Sequence, residues 1–205
     1  MYKVFINNVP IYFGNAALFK SNIPSDFLPR LSLNNFNSFI TAINELSIKE
    51  DIFIDSTDPM AEIHRFFDHF EWIETAGGIV QNSLNLKCLY ILRNGFWDIP
   101  KGVIETEENP KTAAMREIKE ECGIKNLEIN GKLSPTYHVY YGYGKHFIKK
   151  THWFTFTTKE KDVQPQLEEG ITETRWLSQN ELNIVKNNTF SSILDVINNF
   201  ETVSK

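Results

Sequence analysis

Residues 102–124 read GVIETEENPKTAAMREIKEECGI, and the local signals in this stretch define a helix with an acidic face. Asn109 can cap it, Pro110 suits the first helical position, Ala113, Ala114, Met115 and Ile118 continue it, and Gly123 can end it in a left-handed cap. Glu117, Glu120 and Glu121 then lie at i, i+3 and i+4, about 5–6 Å apart at their Cβ atoms, where like charges repel. A cation relieves that repulsion, and a hard, oxygen-seeking ion such as Mg²⁺ is the natural one. The competing reading is a solvated surface helix laced with i, i+4 ion pairs. Against it, Lys119 falls off the acidic face. Arg116, four residues before Glu120, is the only basic residue placed to steady the cluster, and it could also reach back to Glu108.

The same stretch, with Gly102, five residues, Glu108, seven residues, Arg116-Glu117-Ile118, one residue, Glu120-Glu121, one residue and Gly123-Ile124, resembles the signature of the Nudix hydrolases. No specified position departs from it. The resemblance is tight over these residues and looser over roughly residues 76–200; residues 1–75 resemble no named family. It implies an α+β fold, a mixed β-sheet sandwiched between helices; the patterns of residues 1–75 add a small N-terminal α/β appendage. It also implies Mg²⁺-dependent (or Mn²⁺-dependent) hydrolysis of a diphosphate linked to another group. Glu120 and Glu121 would be the principal metal ligands, with Glu117 sharing the site and the Gly102 carbonyl a further ligand. Glu108 and Arg116 would fix the loop against the helix. The general base of such enzymes is a glutamate of the signature or an acidic residue before the last strand. Glu169 is the candidate here and Glu173 the second choice.

Flanking residues bear on the substrate. Trp97-Asp98-Ile99-Pro100-Lys101-Gly102 is similar to the Trp-x-x-Pro-Lys-Gly run of diadenosine polyphosphate and diphosphoinositol polyphosphate hydrolases. Lys149 and Lys150 resemble the lysine-bearing strand of that subgroup. If these matches hold, Lys101, Lys149 and Lys150 supply cations for several phosphates. Tyr137 and Tyr141, among other tyrosines, then offer flat faces for a base or sugar-like ring. The bland alternatives are a turn at Pro-Lys-Gly, a strand rim at the lysines and core tyrosines. Turnover of ADP-ribose or nucleotide sugars, and a non-catalytic sensor or scaffold, are the rival functions; the intact glutamates favour an enzyme.

With 205 residues, 16 Phe and 41% hydrophobic residues, the chain can fill one ordinary core and a smaller one. A net charge of −5 argues against general nucleic-acid binding. Cys88 and Cys122 stand apart and read as buried thiols of a reducing, cytoplasmic compartment. No apolar run suggests a membrane span and the start, MYKVFINNVPIYF, has no signal peptide.

Before the signature, Tyr2–Ile6 and Val9–Phe13 read as a hairpin turning at Asn7-Asn8, with Pro10 suggesting an edge strand. A helix is expected over Asn35–Leu46, a strand over Asp51–Asp55 and a second helix from Asp58 to about Trp72. His64, Arg65, Asp68 and His69 on that helix could hold a metal or phosphate, though a polar helix face is the simpler reading. Ala76-Gly77-Gly78 reads as a flexible boundary, dividing residues 1–75 from a Nudix domain over 76–205. The first part is expected to pack on the second, or on its twin in a homodimer, and to shape a pocket wall. Strands follow at Ile79–Val80 and Leu86–Leu92, an Asn94-Gly95 turn, extended segments at Leu127–Ile129, Ser134–Tyr141, His146–Thr158 and Glu173–Leu177, and a C-terminal helix over Phe190–Phe200.

Overall fold

The computed structural model describes residues 1–6, 8–15 and 52–203, so the helix expected over Asn35–Leu46 lies outside the described residues. The elements are β1 (Tyr2–Ile6), β2 (Val9–Gly14), β3 (Ile52–Asp55), α1 (Pro59–Phe66), β4 (Glu71–Asn82), β5 (Cys88–Arg93), β6 (Phe96–Asp98), β7 (Lys101–Val103), α2 (Pro110–Cys122), β8 (Glu128–Lys132), β9 (Thr136–Gly142), β10 (Lys145–Thr158), β11 (Ile171–Leu177), α3 (Asn183–Lys186) and α4 (Ser191–Val203). They fall into two compact units, one of residues 1–71 with Tyr137–Ile148, the other of Trp72–Thr136 with Lys149–Lys205.

In the first unit β1 pairs antiparallel with β2 through the expected hairpin, where Asn8 takes φ 64°. β1 also runs parallel to β9, with Val4 opposite Tyr137, and β2 runs parallel to β3. β2 is therefore an inner strand, not the edge that Pro10 suggested. Pairing with β3 begins only at Ile11, so the missing N–H of Pro10 interrupts no bond there. Asp58 caps α1 by accepting from the Ala61 N–H at 3.1 Å. The helix stops at Phe66, short of the expected Trp72, because the chain turns through Phe67 and Phe70 and enters β4 at Glu71. Phe13, Phe66, Phe67 and Phe70 close this core through edge-on ring contacts. On α1 Arg65 pairs with Glu62, while His69, beyond the helix end, is exposed and lies 3.4 Å from Asp68.

The second unit is built on the strand order β11-β5-β4-β10, with β6 on β5, β7 on β4 and β8 on β10. Alternation sorts its residues. Ala76, Val80, Leu89, Ile91, Phe154 and Phe156 pack with Ala113, Ala114, Ile118 and Cys122 of α2, whereas Ile79, Tyr90, Trp97 and Trp153 pack with Val185, Ile193, Val196 and Ile197 of α3 and α4. Helices thus cover both faces of this sheet, as the resemblance implied.

Ala76-Gly77-Gly78 is not a flexible turn: it lies buried in the middle of the twelve-residue β4. The glycines serve close approach. A Cβ on Gly77 would sit 2.2 Å from the Pro100 carbonyl oxygen, and one on Gly78 2.5 Å from that of Phe154.

After α2 the chain is held by Glu160, whose carboxylate accepts from Lys125 N–H at 3.1 Å, Asn126 N–H at 2.7 Å and Asn126 Nδ2 at 2.8 Å. Burial pushes this carboxyl up, but those hydrogen bonds outweigh it and its pKa lies below the ordinary value. A carboxyl so lowered contributes stability that is present above about pH 4.5 and is lost as pH falls through the folded pKa. Glu160→Gln is therefore expected to lower Tm by about 2–4 °C at pH 7, with a smaller gap to wild type at about pH 3. Thermal melts at the two pH values check it, and an equal gap at both would refute it.

Candidate functional site

The acidic helix forms as its ends dictate. Asn109 Oδ1 accepts from Lys111 N–H at 3.0 Å and Thr112 N–H at 3.1 Å, Pro110 opens the first turn, and Gly123 ends the helix at φ 70°. Packing Ala114, Ile118 and Cys122 on the sheet fixes the helix's rotation, and this splits the three glutamates. Glu121 is fully buried and Glu117 nearly so, while the Glu120 side chain is 49% exposed. The sequence put all three on one face; in the fold, two are under the helix and one stands at its rim.

Arg116 lies among them. Its Nη1 donates to Glu117 Oε1 at 2.7 Å and to Glu120 Oε2 at 3.0 Å. Its Nε and Nη2 bind Glu108 at 3.1 and 2.9 Å, and Nη2 also reaches the Val103 carbonyl at 2.9 Å. One guanidinium therefore ties the helix, the preceding loop and β7 together. Its hydrogen bonds hold Glu108 below the usual carboxylate range. Glu117 goes the other way, since burial raises it more than Arg116 lowers it.

Glu121 accepts the Lys101 backbone N–H at 2.9 Å on one oxygen and Arg93 Nη1 at 3.0 Å on the other. Burial pushes its carboxyl up to about 7, opposed by the Lys101 charge and N–H and by Arg93. Gly102 lies directly over Glu117: a Cβ there would sit 2.1 Å from the carboxyl carbon. A side chain at this position would fill the space that the carboxylate occupies.

Glu169 ends the 3₁₀ turn Leu167–Glu169, just before β11, and accepts from Arg93 Nη2 at 2.7 Å. Glu173 instead pairs with Arg175 on β11. Arg93 is a residue the sequence reading overlooked. The signal was present, because Arg93 alternates with Leu89 and Ile91, which pack against α2.

The flanking lysines do not form one patch. Lys101 is buried, with its ammonium paired to Asp98, and Lys150 pairs with Glu74 at 2.9 Å beside His152. Lys149, the neighbour of Lys150 on β10, points to the opposite face, where burial and the Lys101 and Arg93 charges, against the attraction of Asp98, lower its pKa to about 8. Tyr137 is buried, edge-on to Tyr2 at 5.9 Å with its hydroxyl 3.6 Å from Met60 Sδ, and so offers no open face for a ring. Tyr141 is 66% exposed and lies edge-on to His146.

Among the described residues no three acidic, His or Cys side chains meet in ready ligand geometry. The donor chemistry nonetheless suits a hard divalent ion: every donor is an oxygen, and carboxylate oxygens of Glu117 and Glu120 already converge within 3.0 Å of one cationic nitrogen. No helix among the described residues is long and apolar enough to cross a membrane.

The family model described as NUDIX domain matches residues 65–195. Over 35 residues the chain is 54% identical to Nudix hydrolase 25 of Arabidopsis thaliana, covering 17% of this chain and 20% of that protein. Over 53 residues it is 38% identical to a MutT-like protein of Streptomyces ambofaciens, covering 26% of this chain and 34% of that protein. The chain thus spans about a third or less of the length of these curated relatives. The crystal structure of a MutT protein from Methanosarcina mazei Go1 shares the fold, with TM-score 0.50 at 20% identity over 66% of this chain and 97% of that one.

Proposed function

The chain belongs to the NUDIX family, and we propose that it is a divalent-metal-dependent hydrolase that cleaves the diphosphate of an organic phosphoanhydride by attack of water on phosphorus. The observation that carries this reading is the convergence of Glu117 and Glu120 on one cation position, with the buried Glu121 beside them under the same helix. Glu117, Glu120 and Glu121, with the Gly102 carbonyl, would hold Mg²⁺ or Mn²⁺. Such an ion, when bound, screens phosphate charge and makes water more acidic.

The chain's own groups do the rest. Glu169 accepts the proton of the attacking water. Arg116 and Glu108 keep the loop after Gly102 in register with the helix, so that the ligand oxygens stay aligned. Lys149 supplies the positive charge for a longer phosphate chain, with a nucleoside polyphosphate as the favoured substrate class and ADP-ribose or a nucleotide sugar as the alternative. Lys101 acts through its backbone N–H on Glu121, since its ammonium is committed to Asp98.

Phosphate release should be measured across dinucleoside polyphosphates, nucleoside triphosphates, nucleotide sugars and inositol pyrophosphates. Hydrolysis is expected to stop in excess EDTA and return with Mg²⁺ or Mn²⁺. Full activity in the chelator would sink the metal assignment, and saturable binding without turnover of any compound would make the protein a sensor.

A further inference from the structure

We propose that Arg93 is a positioning residue that holds the turn bearing Glu169 at a fixed distance from the buried Glu121. Its two terminal nitrogens are divided between the two carboxylates: Nη1 to Glu121 Oε1 at 3.0 Å and Nη2 to Glu169 Oε2 at 2.7 Å. The partners come from different elements, 48 residues apart in the chain, so local sequence cannot set their separation.

The backbone pins the ends of this turn. Gln166 N–H donates to the Glu121 carbonyl at 3.2 Å, and Asn94 N–H to the Gly170 carbonyl at 3.0 Å. Gly170 adopts φ 73°, and a Cβ there would lie 2.5 Å from Asn94 Oδ1, so the turn closes directly on the Asn94-Gly95 hairpin. Between these two anchors the Glu169 side chain is 39% exposed and would be free to sweep through solvent without the guanidinium. A planar fork suits the task, because it can serve two acceptors at once from a preorganised geometry; a lysine ammonium at the same place is a single mobile point charge. Arg93 itself is held by its strand, opposite Ile171 of β11 and Phe96 of β6.

The structural part of this proposal stands on these contacts alone; its catalytic meaning rests on the hydrolase reading above. Two measurements test it. Amide hydrogen exchange on the metal-free, substrate-free protein should show Glu169 and Gly170 exchanging about tenfold faster or more in Arg93→Gln than in wild type. Unchanged protection would overturn the clamp whether or not any substrate is hydrolysed. In steady-state kinetics, Arg93→Gln and Glu169→Ala should each lower kcat about tenfold or more with KM within about twofold, and the double variant should lose no more than the worse single one, because the two side chains act as a unit. Additive losses, or a loss mainly in KM, would place Arg93 on the substrate instead and overturn the positioning role. Should Arg93→Gln fail to fold, Arg93→Lys carries the same cycle, with the same outcomes deciding. Absence of turnover in wild type would refute the hydrolase reading and leave the clamp to be judged by exchange.

Discussion

Glu121→Gln is expected to lower kcat by about 10³-fold, close to 4 kcal/mol of transition-state stabilisation, while the protein stays folded. The substitution keeps the volume of a fully buried side chain and removes its charge. Two effects on stability then oppose each other. Removing a charge from the interior relieves the desolvation that raises this carboxyl. Against that, Lys101 N–H and Arg93 Nη1 are both donors, and an amide can accept from only one of them through its oxygen, leaving the other facing an NH₂ group at a cost of about 1–3 kcal/mol. Tm should therefore stay within a few degrees. Glu120→Gln should show a comparable kcat loss with no stability change, because that side chain is half exposed and, among the described residues, bonded only to Arg116. Steady-state kinetics and thermal melts on both variants check this. A wild-type rate in either would reduce the helix to a surface feature.

What the sequence disclosed and what it hid divide along the distance of the determining contacts. The acidic helix was legible to the residue because its cap, its first proline and its terminal glycine act within one turn. The Asn94-Gly95 turn was legible for the same reason, with both residues at positive φ. Gly77 and Gly78 misled because a pair of glycines looks like a flexible joint locally. Their purpose depends on Pro100 and Phe154, far along the chain, whose carbonyls occupy the space of the missing side chains. Tyr137 misled in a similar way: its exposure is decided by β1, which comes 131 or more positions earlier, and no feature of the segment around it announces that pairing. Lys101 carried a nearer warning. Asp98 stands three residues before it, and a tight turn between two short strands brings such a pair together. The splitting of Lys149 from Lys150 follows from strand alternation alone.

Gly102→Ala should reduce kcat about a hundredfold with only a small change in Tm, because the neighbour that must yield is a side chain of the site and not the backbone. The added methyl would lie 2.1–2.3 Å from all three atoms of the Glu117 carboxyl group. That group is the far end of a flexible side chain, so it swings aside, breaking its 2.7 Å bond to Arg116 and leaving the position where it converges with Glu120. Displacement of a ligand by an ångström or more is worth about 10² in rate when the remaining groups stay fixed. Calorimetric titration of Mn²⁺ into the variant should show correspondingly weaker binding. Gly77 offers the contrast, since a methyl there meets the Pro100 carbonyl and the Lys101 Cα, which cannot move without deforming β7. A lesion at Gly77 therefore reaches activity through the fold, whereas one at Gly102 reaches it through Glu117 alone. If Gly102→Ala kept the wild-type rate, Glu117 would not need its place under β7, and the site would have to be built from Glu120 and Glu121 without it.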